Sequence, residues 1–480
     1  METNQTSLLD RIGTSVFTKL ITIVILVLLL LIPLFWVKNL IEERKNRQSE
    51  VSDEIAFKWA GQQVISGPVI AIPYQVVKEI VTTDKNIIST KNTYVTQYVY
   101  LLPKTLNINS TISPESLKRG IYKSVVYNAQ LNLKGSFDEI DFNKIDLNGV
   151  DLEWKNAKII IGLSDLKGLG ASPTLVFNQK DMEFEPNMSV LNPFENNMIA
   201  AIDLSTTKTT LGDFQIKFNI RGSQSINFLP LAKQTTIQAK GTWANPSFNG
   251  AVLADDRKIT NNSFEATWNI PSFNRKFSQQ WTGAVEKLYE INNNYAINAP
   301  MNDGYNNQTE PAPSTNNHIA SEKDMIQINF LEEVNNYQKT MRVAKYGILI
   351  IILTFAALFF TEIIKKQRIH LIQYMLIGFA MVLFYSLLLS ISEHLGFNMA
   401  YLLAAIATII LIASFIKSIT RDIKSAFIFS GVLGLFYSFI FILMQLRDYS
   451  LIVGTIGIFI ILAILMRLST KINWYQFDKR

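Results

Sequence analysis

Residues Val16–Val37, VFTKLITIVILVLLLLIPLFWV, decide the fold class. At helical rise this stretch is long enough to cross a hydrocarbon core of ~30 Å. Lys19 is its one charge and sits at the entering edge, where a long side chain can snorkel to the headgroups. A cleaved signal peptide would be shorter and would end in small residues. Here the exit is Pro33-Leu34-Phe35-Trp36-Val37, bulky throughout and without an A-x-A site. The stretch therefore reads as an uncleaved anchor (16–37) behind a cytoplasmic N-terminus (1–15).

The remainder of the 480 residues divides sharply. The middle is polar and rich in Asn, and the last third is almost continuous apolar sequence. With no cysteine, the chain has no disulfide, thiolate metal site or cysteine nucleophile. The net charge of +6 does not argue for nucleic acid, because much of the positive charge flanks apolar spans, as membrane insertion requires.

Beyond the anchor, Val51, Ile55 and Trp59 recur every four residues, so the helix is expected to continue as an amphipathic stalk (38–60). Arg44, Lys45 and Arg47 on it are candidate lipid-headgroup contacts, against the alternative of a solvated helix face. Gly61 and Gly67-Pro68 end it. From Val69 to Trp268 the period changes to two. VIAIPYQVV, YVTQYVYLLP, FQIKFNIRGS, TTIQAKGTWA and FEATWNI are short runs rich in β-branched and aromatic residues, separated by Gly, Pro, Asn and Asp. This pattern predicts a large, mainly antiparallel, sandwich-like β domain over 61–289. An Asn/Pro-rich loop without period covers 290–320 and includes His318. Helical spacing through Leu331, Val334, Tyr337, Met341 and Ala344 then predicts an amphipathic helix over 321–345, leading into the membrane.

Five apolar blocks follow between 346 and 466, near Tyr346–Ile364, Ile372–Ile391, Asn398–Ile416, Ala426–Leu446 and Leu451–Met466. With the anchor they predict a polytopic α-helical membrane protein of six transmembrane helices, the β domain inserted between the first and second, and a cytoplasmic tail at 467–480. Lys365, Lys366 and Arg368 mark one connection, Lys417, Arg421 and Lys424 another, and Arg467, Lys471, Lys479 and Arg480 the tail. The alternate connections, SEHLGFN and LRDYS, contain only Arg447. Both termini are therefore expected in the cytoplasm and the β domain outside it. One local conflict stands: Lys38, Arg44, Lys45 and Arg47 lie on the outer side of the anchor, against Arg11 and Lys19 inside.

Several long segments look familiar in order. The anchor with IEERKNRQSEVSDEIAFKWAGQQVISGPVIAIPY resembles the opening of the CreD family of bacterial inner-membrane proteins, linked to cell-envelope integrity. RGIYKSVVYNAQLNLKGSF, GTWANPSFNG, YQKTMRVAKYGILIIILTF, RIHLIQYMLIGFAMVLFYSLLLSISEHLGFNMAYLLAA, LRDYSLIVGTIGIF and NWYQF are similar to the same family. The Asn-rich stretch near 290–318 departs from it and resembles an insertion. The resemblance implies a bacterial cytoplasmic membrane and a role in envelope homeostasis, and it supplies no catalytic residue.

Candidate chemistry concentrates at span ends. Ser392-Glu393-His394 ends the third span. There Glu393 can hold His394 cationic, relay a proton or bind a polar headgroup, or both groups simply cap and wet a helix end. Gln445, Arg447, Asp448 and Tyr449 fill the other short outer connection, and Glu393, His394, Gln445, Asp448 and Tyr449 form one candidate polar patch if the two connections meet. Arg342 and Lys345 enter the membrane from outside as further headgroup contacts. Glu362 reads as a local helix partner of Lys365 and Lys366. Gly431 with Gly434, and Gly454 with Gly457, read as weak helix-packing motifs.

No P-loop, H-E-x-x-H or G-x-S-x-G occurs. Gly168-Leu169-Gly170 lacks a third glycine and a following amphipathic helix, so it reads as a turn, with Asp165 as turn former. No cofactor or metal is expected. Three functions follow, in order. The first is a non-enzymatic inner-membrane envelope protein whose β domain binds a periplasmic lipid, glycan or partner protein, with the phospholipid bilayer as its other partner. The second is a lipid or small-molecule transporter using Glu393 and His394. The third is a membrane hydrolase or transferase without a recognised motif.

Overall fold

A computed structural model of the chain describes residues 16–84, 87–145, 147, 150–187, 193–194, 196–205, 211–283, 288–289, 320–330, 336–365, 369–446 and 449–470. Two compact units emerge: Met1–Ser49 with Val334–Arg480, and Glu50–Glu333.

The first unit is helical. Its elements are α1 (Val16–Trp59), α2 (Asn336–Lys345), α3 (Gly347–Lys365), α4 (Leu371–Leu395), α5 (Phe397–Thr420), α6 (Ile423–Gln445) and α7 (Ser450–Thr470). In α1, Leu26, Leu30, Leu34, Val37 and Ile41 are buried, while Val24, Leu28, Phe35 and Trp36 are exposed. A buried residue at every third or fourth position is one stripe of a helix, with the exposed apolar remainder suited to lipid. Gly378 of α4 lets this stripe approach closely, since a Cβ there would overlap Leu30. Phe384, Tyr401 and Tyr437 join α4, α5 and α6 through an aromatic core, with the Phe384 and Tyr437 rings 4.6 Å apart.

Among the described residues, four helices are long and apolar enough to span a bilayer: α1, α4, α5 and α6. A fifth span results if α2 and α3, which meet at a 41° bend, are taken together. The expectation of six is thus met only in part. α7, Ser450–Thr470, is apolar too, with Ile452–Arg467 as its described apolar stretch.

The second unit is built on two sheets. One runs β13 (Pro246–Gly250), β17 (Ile326–Phe330), β11 (Ser225–Leu229), β1 (Gln63–Asp84), β5 (Ala157–Leu163), β9 (Asn197–Ile202) and β8 (Glu185–Pro186). Against β1 also lies β2 (Ile87–Leu101), and β16 (Gln280–Gly283) pairs with β2. The other runs β14 (Asp256–Ile259), β15 (Phe264–Pro271), β12 (Gln234–Gly241), β3 (Thr105–Arg119), β4 (Tyr122–Phe137), β10 (Gly212–Ser223), β6 (Thr174–Phe177) and β7 (Lys180–Glu183). Alternation drives this arrangement. In β15, Phe264, Ala266, Trp268 and Ile270 are buried and the residues between them are not. One core draws on both sheets, from Ile70, Ile159 and Phe228 to Ile108, Leu133, Ile216 and Trp268. The opposite face of the first sheet is covered too, with Val69, Tyr100 and Ile160 packed among Phe194, Leu288, Tyr289 and Met325. Burial on both faces explains why β5 carries the apolar run Ile159–Leu163.

Most strand pairings are antiparallel, and two parallel pairings, β11 with β1 and β12 with β3, make the sheets mixed. Two expectations need correction. Residues 326–330 form strand β17, not the start of a helix. Ile326, Ile328 and Phe330 alternate inward, and pairing with β11 and β13 outweighs any helical preference. The stalk also divides: the end of α1 belongs to the β unit, where Glu54 pairs with Arg119 and Ser52 Oγ lies 2.7 Å from Ser124 Oγ. The Asn/Pro-rich 290–319, including His318, lies outside the described residues. Its flanks, Tyr289 and Ala320, are joined by a β-bridge.

Candidate functional site

The connection after α4 is one residue long. Gly396 adopts φ +77° and ψ 165°, donates its N–H to the Ser392 carbonyl (3.2 Å), and α5 begins at Phe397. That backbone region is open essentially to glycine alone, so the sharp turn is written into the residue type. It leaves Glu393 half-buried and His394 exposed.

α2 packs onto this end of the bundle. Its Asn336 amide donates to the Ser392 carbonyl (3.1 Å), and the Tyr337 hydroxyl donates to Glu393 Oε1 (3.1 Å). One turn on, Lys339 Nζ lies 5.3 Å from the centroid of the Phe397 ring. The glutamate is therefore held by a tyrosine of α2, and His394 points to the surroundings, as adjacent helical residues do. Arg342 and Lys345, also on α2, are exposed, as are Arg44, Lys45 and Arg47 on α1. Among the described residues, the second connection meets the first where Gln445 Nε2 donates to Asn398 Oδ1 (3.1 Å). Tyr449 is exposed, and Arg447 and Asp448 lie outside the described residues. So the structure brings together Glu393, Tyr337, Asn336 and Lys339, and separately Gln445 with Asn398. A carboxylate, a phenol and the Lys339 ammonium on the same end of the bundle can hold a polar headgroup. Among the described residues, no cluster of three or more His, Asp or Glu is placed to hold a metal ion.

A second cluster was not legible as such. Lys19 of α1 forms an ion pair with Glu362 Oε1 of α3, and the same oxygen accepts the Ile369 N–H (3.2 Å). Glu362 Oε2 accepts the Tyr374 hydroxyl (3.0 Å), and Lys19 also donates to the Ile369 carbonyl (3.3 Å). The Glu362 side chain is 10% exposed. The local partners read for Glu362, Lys365 and Lys366, have side chains outside the described residues; the pairing that the structure shows lies 343 residues away in sequence. The usable signal was one opposite charge near the same end of each of two spans. The small-residue reading needs revision as well. A Cβ at Gly431 or Gly434 would meet nothing within 4 Å, whereas one at Gly457 would overlap Phe439. The turn at Gly168 is a 3₁₀ turn over Leu166–Gly168, with Asp165 accepting the N–H groups of Lys167 (3.0 Å) and Gly61 (3.1 Å).

The family model for inner membrane protein CreD matches residues 15–475. The inner membrane protein CreD of Escherichia coli (strain K12) is 27% identical over 462 residues, covering 96% of this chain and 94% of that protein. A match of this extent runs through both the helical and the β unit, and it places the chain in the CreD family.

Proposed function

We propose that this chain is an inner-membrane protein of the cell envelope that works by binding, with the β unit as receptor and the helices as anchor. One observation carries the reading. A unit of two sheets, Glu50–Glu333, is inserted between an apolar helix and a set of apolar helices, so it is tethered to the membrane at both ends. A fold of this size, with its own core, is more than a linker needs, and sheet surfaces are common binding platforms. The positive charge in alternate connections supports an extracytoplasmic β unit with both termini inside. The CreD relative, named as an inner membrane protein, supports the location. The Glu393 cluster serves the anchor: its carboxylate is engaged by Tyr337 of the neighbouring helix.

The test uses a property of the sequence. Because the chain has no cysteine, a single introduced thiol is the only one present. Ser113→Cys or Asn249→Cys should react with a membrane-impermeant maleimide in intact spheroplasts. Protection there, with labelling only after lysis, would overturn the assignment. In a strain lacking the gene, Glu393→Gln and His394→Ala should complement an envelope-stress phenotype, and loss of the β unit should not. The reverse pattern would favour a transporter.

A further inference from the structure

The β1–β2 hairpin changes character partway along. From Gln63 to Tyr74 β1 is buried, and from Gln75 to Glu79 it is not. Its partner β5 stops at Ala71, and β16 reaches only Tyr98 on β2. Among the described residues, the outer hairpin from Gln75–Thr96 to Asp84–Ile87 pairs with itself alone. It is an arm beyond the body of the sheet.

Register places an aromatic row on one face of this arm. Tyr100 stands opposite Ala71 and Trp281, Tyr98 opposite Pro73 and Gly283, and Tyr94 opposite Val77. Trp281 lies against the Tyr100 ring, with centroids 5.3 Å apart and planes 16° from parallel. Burial decreases along the row: Tyr100 is 2% exposed, Tyr98 and Trp281 are half-buried, and Tyr94 is 74% exposed. The step from Tyr98 to Tyr94 spans about 13 Å at strand rise.

Polar groups are built in beside the rings. Gln75 Nε2 lies 3.1 Å from both Thr96 Oγ1 and Glu153 Oε1, and Asn156 Nδ2 donates to Glu153 Oε2 (2.8 Å). The bonds from Asn156 and then Gln75 hold the Glu153 carboxyl below the usual carboxylate range. Burial, and then the charge of Glu153, raise the Tyr98 phenol. Glu79 is exposed on the same face, and Lys78 alternates to the other. Positions 71–79 of β1 and 92–100 of β2 that share this face contain no Lys or Arg.

We infer that this face binds a neutral glycan chain, with the apolar C–H faces of sugar rings on Tyr94, Tyr98 and Trp281 and their hydroxyls at Gln75 and Glu153. The inference rests on the binding role proposed above and names its ligand class. Charge decides between candidates. Along the arm itself the charges are the carboxylates of Glu79 and Glu153, while Lys158, opposite Ala71, sets an ammonium at the inner end of the face, so the arm disfavours anionic lipid surfaces and phosphorylated polymers. Aromatic rings beside a fixed amide and carboxylate match a ligand that is apolar on its faces and hydroxylated at its rim.

The test titrates detergent-solubilised full-length protein with chitotetraose, a neutral N-acetylglucosamine tetramer, following tryptophan fluorescence and heat. Saturable binding is expected, weakened about tenfold by Tyr94→Ala, on the scale of one lost aromatic contact. Gln75→Ala should weaken it as well, and Lys78→Ala should not. In cells, Tyr94→p-benzoylphenylalanine should photo-crosslink to material removed by glycan-degrading enzymes. A discrete protein or lipid adduct would overturn the inference. So would titrations that show no binding, binding indifferent to Tyr94→Ala, or preference for vesicles of anionic phospholipid. If these tests fail while loss of the β unit still abolishes complementation, the binding role stands and only the glycan assignment falls.

Discussion

Removing the Lys19 ammonium should damage the helical unit more than removing the Glu362 charge. In the folded protein the Lys19 side chain is 33% exposed, and that of Glu362 is 10% exposed. Among the described residues, Lys19→Met leaves the anion in a low-dielectric site with the Ile369 N–H and the Tyr374 hydroxyl to hold it. Breaking a buried pair from one side costs about 3–5 kcal/mol, and this direction approaches that range. Glu362→Gln keeps an acceptor for one of those donors, and the freed Lys19 can swing toward the headgroups, so about 1–2 kcal/mol is expected. The double variant Lys19→Met/Glu362→Gln has no uncompensated charge and should recover much of the loss. The assay is thermal unfolding of the four proteins in detergent, completed as a double-mutant cycle. Equal losses for the two single variants, or additive losses in the double, would refute the pairing argument.

The other predictions separate backbone, hydroxyl and charge effects. Gly396→Ala should destabilise by about 1–3 kcal/mol through its backbone angles alone, since a Cβ there meets nothing within 4 Å; Gly431→Ala, equally open but helical, should be nearly neutral in the same melt. Tyr401→Phe removes a hydroxyl that donates to the Tyr437 carbonyl (2.8 Å) and should cost about 1 kcal/mol, whereas Tyr437→Phe removes a buried hydroxyl without a partner and should be neutral or stabilising. Burial raises the Asp324 carboxyl, but hydrogen bonds from Ser321 and Lys276 outweigh it and hold the group below its ordinary value. A depressed folded pKa means stability that is present above the unfolded value near ~3.9 and lost as pH falls through the folded one. The β unit's melting temperature should therefore drop more steeply below pH 4 in the parent than in Asp324→Asn.

What could be read directly was whatever a short window contains. A run such as VILVLLLLIPLFWV cannot be hydrated at low cost, so α1 is legible without knowing its neighbours. The alternation in FEATWNI likewise announces a half-buried strand. The turn at Ser392–Gly396 was visible as a candidate because an ionisable pair beside a glycine stands out between apolar blocks. Other features depend on partners far along the chain. Residues 326–330 became a strand because β11 and β13 offered edges, and a five-residue window near a helical pattern does not announce that. Parallel pairing of β1 with β11 joins segments about 160 residues apart and leaves no local trace.

The candidate sites divide in the same way. Glu393 was named from its position, but its hold by Tyr337 needed the docking of α2. Glu362 was read against Lys365 and Lys366 alone because helical spacing sees only i+3 and i+4, while the ammonium of Lys19 reaches it from another span. The aromatic row of the arm was present as Tyr94, Tyr98 and Tyr100, yet Trp281 and Glu153 joined it only through sheet register and a neighbouring turn. Hydropathy and periodicity are sums over neighbours in sequence, so they determined which segments cross lipid and which form strands. Ion pairs, strand order and binding faces depend on distances in space, and tertiary structure alone decided those.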